Sequence, residues 1–218
     1  MWQILDEYPP LPSIRHMPAI TDRDRTLELA RRASGVTPRD LAQAGIHRQA
    51  LTRLVNEGKI ERVARGLYHH ARQPITENHG LAVAATAVPK GVICLLSALQ
   101  YHGVGTHLPS EVWMTLDRRA WRPQLAWPPL RIVRFTGEAL MQGVEHHTIE
   151  GRAVKIYGVA KTIVDCFKHR NKIGLDVALE ALREAWRGRR FTMDELDRYA
   201  AICRMQRVMQ PYLEVLTA

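Results

Sequence analysis

The chain has 218 residues, 46% of them hydrophobic, and a formal net charge of +9. That length and apolar content suit one large folded domain or two smaller ones, and the charge favours polyanionic partners over acidic ones. No apolar run approaches the roughly 20 residues needed to span a bilayer, and the amino terminus lacks a signal-peptide pattern, so a cytoplasmic protein with no membrane partner is expected. The three cysteines, Cys94, Cys166 and Cys203, are widely spaced without metal-ligand spacing, which predicts buried free thiols in a reducing compartment.

Residues 1–20 are punctuated by prolines and read as an arm or extension, either docked elsewhere through Trp2, Ile4, Leu5 and Tyr8 or disordered. A helix is predicted over 21–34, with Thr21 as its cap. The most telling stretch is 37–68, TPRDLAQAGIHRQALTRLVNEGKIERVARGLY. Thr37 suits a helix cap, Pro38 the first helical position, and Asp40 the first turn, where a negative charge complements the helix dipole. Gly45 stands where the chain must turn sharply. A second helix is expected from about His47 to Glu57, stopped by Gly58. At 100° per residue Ala50, Leu51, Leu54 and Val55 share one face, and Arg48, Gln49, Thr52, Arg53 and Asn56 the other. Arg, Gln and Asn make two-point contacts with base edges. Two short strands, Lys59–Val63 and Gly66–Tyr68, then complete a wing. Window 31–72 holds nine Lys/Arg against three acids, or +6, the electrostatic footprint of a DNA binder.

This pattern predicts a winged helix-turn-helix over 21–74 that binds double-stranded DNA. Its candidate contacts are Thr37, Arg39, His47, Arg48, Gln49, Thr52 and Arg53, with Lys59, Arg62 and Arg65 in the wing. The alternative is a winged helix used for protein contact. Gln73-Pro74 marks a boundary, and 75–218 reads as an α+β body. Helices are expected at about 77–88, 91–102, 160–169, 174–186, 192–204 and 206–216. Strands are expected at 112–116, 130–135, 144–149 and 153–157, the last two facing each other across Glu150-Gly151-Arg152. The fold class is therefore α+β: a winged helix-turn-helix, then a mixed α+β domain with a small antiparallel sheet and a helical carboxyl terminus.

Little in the sequence points to an enzyme. Glu111, Asp117, Glu138, Glu145 and Glu150 lack the pattern of a metal-dependent nuclease. His69-His70 and His146-His147 are adjacent pairs whose rings point to opposite faces of a strand, so neither suggests a metal site. No phosphate-binding loop occurs, and no cofactor is implied. A ligand-responsive regulator is the other reading, with Trp113, Trp121 and Trp127 lining a pocket.

Three segments resemble one known family. GVTPRDLAQAGIHRQALTRLVNEGKIERVARGLYH (35–69) is similar to the amino-terminal winged helix of the AbiEi antitoxins of bacterial type IV toxin–antitoxin systems. KGVICLLSALQYH (90–102) and IYGVAKTIVDCFKHRNKIGLDVALEAL (156–182) resemble that family's carboxyl-terminal antitoxin domain. The resemblance covers roughly residues 25–190. It implies a protein that represses its own promoter at inverted repeats, as a dimer or by cooperative binding on DNA, and counteracts a nucleotidyltransferase toxin directly or indirectly. By position it implies antitoxin roles for Lys161, Thr162, Asp165, Lys168, Arg170 and Lys172. Lys161 and Asp165 stand at i,i+4, and Asp165 and Lys168 at i,i+3, so each pair has the spacing of a simple helical ion pair.

Overall fold

The computed structural model describes residues 20–32, 35–64, 66–71 and 76–217. The arm up to residue 19, Arg65, Arg72 and the Gln73-Pro74 boundary lie outside the described residues.

The amino-terminal third places three helices, α1 (Asp22–Arg32), α2 (Pro38–Gln43) and α3 (Gln49–Asn56), before a wing-like antiparallel hairpin of β1 (Ile60–Ala64) and β2 (Leu67–His70). Val36 bridges Tyr68 and extends the hairpin by one rung. Each element contributes one apolar stripe to a shared core: Ala30 from α1, Leu41 from α2, Leu51 and Leu54 from α3, and Ile60 from β1, with Val36 and Ile46 from the connections.

The body follows as α4 (His79–Ala87), β3 (Val92–Ile93), α5 (Leu95–His102), β4 (Val112–Asp117), β5 (Leu130–Phe135), α6 (Glu138–Met141), β6 (Val144–Ile149) and β7 (Arg152–Tyr157). The helices α7 (Val159–Lys168), α8 (Arg170–Ile173), α9 (Leu175–Arg187), α10 (Met193–Cys203) and α11 (Gln206–Thr217) complete it. Among the described residues no helix is long and apolar enough to cross a membrane.

The sheet corrects the expected small antiparallel one. Five strands run in the order β5-β4-β3-β7-β6. The pairs β4–β5 and β3–β7 are parallel, and β3–β4 and β6–β7 antiparallel. The source of the error is β3. Its two residues lie in the apolar run 91–99, which reads as one helix because a strand buried on both faces shows no alternation. Inserted at the centre, β3 separates β4 from β7 and makes the sheet mixed. The hairpin between β6 and β7 is as expected but tighter. Ile149 pairs with Arg152, and Glu150 and Gly151 alone make the turn, both at positive φ, as a twisted two-residue hairpin requires.

Successive strand residues feed opposite cores. Trp113, Val133, Phe135 and Tyr157 face α5, α7, α9 and α10. Val112, Met114, Leu116, Val154 and Ile156 face α4. The sheet is thus the middle of three layers.

Among the described residues the amino-terminal third touches the body through the following contacts. Leu67 of β2 packs on Val83 of α4, with Leu125 alongside. His69 of β2 lies edge-on to His79, centroids 6.2 Å apart. Arg152 reaches Asp40 of α2 at 3.0 Å in a partly buried ion pair. His79, itself buried, is held at 2.8 Å from Glu150, whose other oxygen accepts from Thr76.

Candidate nucleic-acid interface

The turn between α2 and α3 is built from local chemistry. Thr37 Oγ1 accepts from the Asp40 amide at 3.2 Å, and the Thr37 amide donates to Asp40 Oδ2 at 2.8 Å. This capping box occupies two amides that a helix start leaves unsatisfied. Burial works against the Asp40 carboxyl, yet the Thr37 amide and the Arg152 guanidinium prevail and hold it below the usual carboxylate range. Gly45, at φ +69°, makes the reversal, and Arg25 donates to the Ala44 carbonyl at 2.6 Å. Arg23 binds Glu57 at 3.0 Å, fastening α1 to the end of α3.

With Leu51 and Leu54 buried, Gln49, Thr52, Arg53 and Asn56 of α3 and Arg48 just before it are exposed. Arg39 is exposed on α2, and Thr37 is half-buried with its hydroxyl engaged in the cap. His47 is exposed, but its Nδ1 accepts from the Gln49 amide at 3.3 Å, so the ring caps α3 as well as bordering its outer face. In the hairpin Arg62 and Lys59 are exposed, Lys59 lying 3.3 Å from Glu57. The fold therefore gathers Arg48, Gln49, Thr52 and Arg53 on one helix face next to the hairpin. Arg65 lies outside the described residues.

The second set of candidates divides. Lys161, Thr162 and Asp165 of α7 are completely buried. Lys161 hydrogen-bonds Asp165, and its ammonium sits 4.1 Å from the Tyr157 ring centroid and 4.8 Å from that of Phe135. Thr162 Oγ1 donates to the Tyr157 carbonyl at 3.1 Å. Gly143 makes room for the pair: a Cβ there would come within 2.7 Å of the Lys161 stem. Burial pushes the Asp165 carboxyl up, against the pull of Lys161. Cys203 donates to Asp165 Oδ1 at 3.5 Å, and burial with the Asp165 charge raises its thiol to about 11. Lys168 and Lys172, by contrast, are exposed, and Arg170 is half-buried with its guanidinium on the Phe167 carbonyl at 2.9 Å. A partner could reach Lys168, Lys172 and part of Arg170, but not the Lys161–Asp165 pair without unpacking the core.

The three tryptophans do not converge on a pocket. Trp113 is buried in the core under Arg131, Trp127 lies against His79, and Trp121 is 90% exposed. Arg118, Arg119 and Arg122 cluster around Trp121, a grouping of cations beside an aromatic that is visible in the sequence.

Comparison with known proteins bears on both regions. Residues 24–68 match the model of the family described as "Transcriptional regulator, AbiEi antitoxin", so this segment is an AbiEi antitoxin transcriptional-regulator domain. No curated protein matches the chain significantly. Among solved structures the chain is similar to the crystal structure of the RV2827C protein from Mycobacterium tuberculosis. The TM-score is 0.55 with 15% sequence identity, over 81% of this chain and 70% of that one. At that identity the likeness concerns the fold alone.

Proposed function

We propose that this chain, whose residues 24–68 form an AbiEi antitoxin regulator domain, is the autorepressor and antitoxin of a type IV toxin–antitoxin operon. Residues 21–74 act as a winged helix-turn-helix and 75–218 as the antitoxin domain. The observation that carries the reading is the outer face of α3, where Arg48, Gln49, Thr52 and Arg53 stand together and exposed while Leu51 and Leu54 anchor the helix behind them. In helix-turn-helix proteins the second helix enters the major groove and its early residues meet the bases. Arg48, Gln49 and Arg53 read the operator, while Arg39, Lys59, Arg62 and Arg65 hold flanking phosphates. Two copies occupy an inverted repeat.

A footprint of the purified full chain on the DNA upstream of its own gene, at two salt concentrations, tests this. Two protected half-sites related by inverted symmetry, weaker at higher salt, are expected. Uniform coating or no protection overturns the repressor reading.

The antitoxin role rests on the body, where Lys168, Arg170 and Lys172 offer an accessible basic surface and Lys161, Thr162 and Asp165 hold α7 in place behind it. Its target is a nucleotidyltransferase toxin. Co-expression with a nucleotidyltransferase encoded by an adjacent gene is expected to relieve growth arrest, and K168E/K172E to lose that relief. Full relief by the variant overturns this surface.

A further inference from the structure

The loop between β4 and β5 carries Arg118, Arg119, Trp121 and Arg122. Among the described residues none of these three guanidinium groups makes a hydrogen bond or ion pair. Trp121 exposes 90% of its surface. One exposed apolar side chain means little by itself. Three unpaired cations within five residues around a bare indole are different. Their mutual repulsion is relieved by a polyanion, and the indole offers a flat face that stacks on bases or sugars.

The loop is ordered at both ends. Asp117 Oδ1 accepts the Arg119 amide at 2.8 Å, and Arg134 donates to the Asp117 carbonyl at 2.8 Å. At the other end Leu125 packs with Leu67 and Val83, and Trp127 lies 5.4 Å from His79. Leu67 is the first residue of β2, directly after the turn of the wing. The same turn approaches the start of α2, since a Cβ on Gly66 would lie 4.0 Å from the Pro38 ring. The loop therefore crosses the body from the far end of β4 and β5, where Arg118 and Arg119 stand beside Thr136, to the wing, against which its Leu125 end packs. The wing itself is short, with β1 ending at Ala64 and β2 resuming at Leu67, so it has little reach of its own.

We propose that this loop is a second, sequence-independent contact to duplex DNA. Arg118, Arg119 and Arg122 neutralise phosphates flanking the operator, and Trp121 lies against the sugar edge. The body lengthens the footprint that the short wing begins. This rests on the DNA-binding reading above, and the test separates the two.

The full chain and its R118A/R119A/R122A variant are titrated with a duplex from upstream of its gene and with a random duplex of equal length, across a range of salt. Each lost phosphate contact flattens the salt dependence by about 0.9, so the variant is expected to lose about 2–3 from the slope on both duplexes. Its affinity at low salt is expected to fall about tenfold or more, and its footprint to shorten on the outer flanks while keeping the central half-sites. DNA should also alter tryptophan fluorescence in the wild type but not in W121F. Unchanged slope and footprint in the triple variant, with Arg62→Ala still altering the slope, overturn the loop contact and leave the winged helix standing. A wild-type chain that binds neither duplex overturns both.

Discussion

Helices α3 and α7 both carry basic residues at helical spacing, and the molecule uses them in opposite ways. In α3, Arg48 and Arg53 face water and only Leu51 and Leu54 are fully buried. In α7 every residue from Ala160 to Phe167 is buried, Lys161 included. The difference lies in the number of neighbours. Helix α3 rests on one small core, so one stripe suffices. Helix α7 is enclosed by α5, α9, α10 and the sheet residues Phe135 and Tyr157, and from Ala160 to Phe167 no side faces solvent. A lysine in that position must bring its own counter-charge, which Asp165 supplies one turn later. Basic side chains are thus presented to solvent by one helix and built into the core by the other.

The sharpest way to break this comparison is to remove one partner of the buried pair. Lys161→Ala leaves the Asp165 carboxylate alone in the core and is expected to cost about 3–5 kcal/mol in chemical denaturation. Replacing both, as K161M/D165L, should recover most of that loss, because two apolar side chains of similar size need no compensation. Equal losses in the single and double variants would show that packing, not charge, sets the cost.

Acid provides a second lever on the α7 side. His169, at the end of α7, stacks on Phe135 with centroids 5.4 Å apart. Burial first, then Lys172, Lys168 and Lys161, lower it to about 4. Its folded value lies below that of the unfolded chain, near 6.5. The neutral ring's contribution is therefore complete above about pH 6.5 and is lost as pH falls from there towards about 4. His69 and His102 are lowered too, chiefly by burial, and add in the same direction. His169→Phe keeps the stack and is expected to flatten the stability profile in that window. An unaltered profile would assign the acid sensitivity elsewhere.

On the α3 side the expected signature is binding without a stability change. Arg53→Ala should weaken operator binding by about 1–3 kcal/mol. Arg62→Ala should weaken binding to all sequences and reduce the salt slope by about one. Both should leave the unfolding midpoint within about 0.5 kcal/mol of wild type. A large stability loss in Arg53→Ala would mean that this face is packed rather than presented.

The two regions also differ in how legible they were. The amino-terminal elements could be read almost residue by residue, because local rules decide them: the Thr37–Asp40 cap, the Gly45 reversal and the two faces of α3. In the body, the hairpin between β6 and β7 and the long helices α9 and α10 were equally plain, since turn chemistry and amphipathic stripes are local too. The short helices α6 and α8 and the strand β3 were not, being too brief to show a period. The antitoxin candidates mixed buried and exposed residues, because spacing along one helix does not report how many sides of it are covered.

Charge, caps, turns and periodicity act over a few residues, and they are enough to specify a basic chain with short helices and a hairpin at its start and an α+β body behind it. Packing across the chain settles the rest: the sheet is mixed, Lys161 and Asp165 face inward, and the Leu125 end of the loop between β4 and β5 lies against the wing. Those outcomes depend on pairings between residues far apart in the chain, such as Ile93 with Ile156, Asp40 with Arg152 and Leu67 with Val83, and no local pattern encodes them.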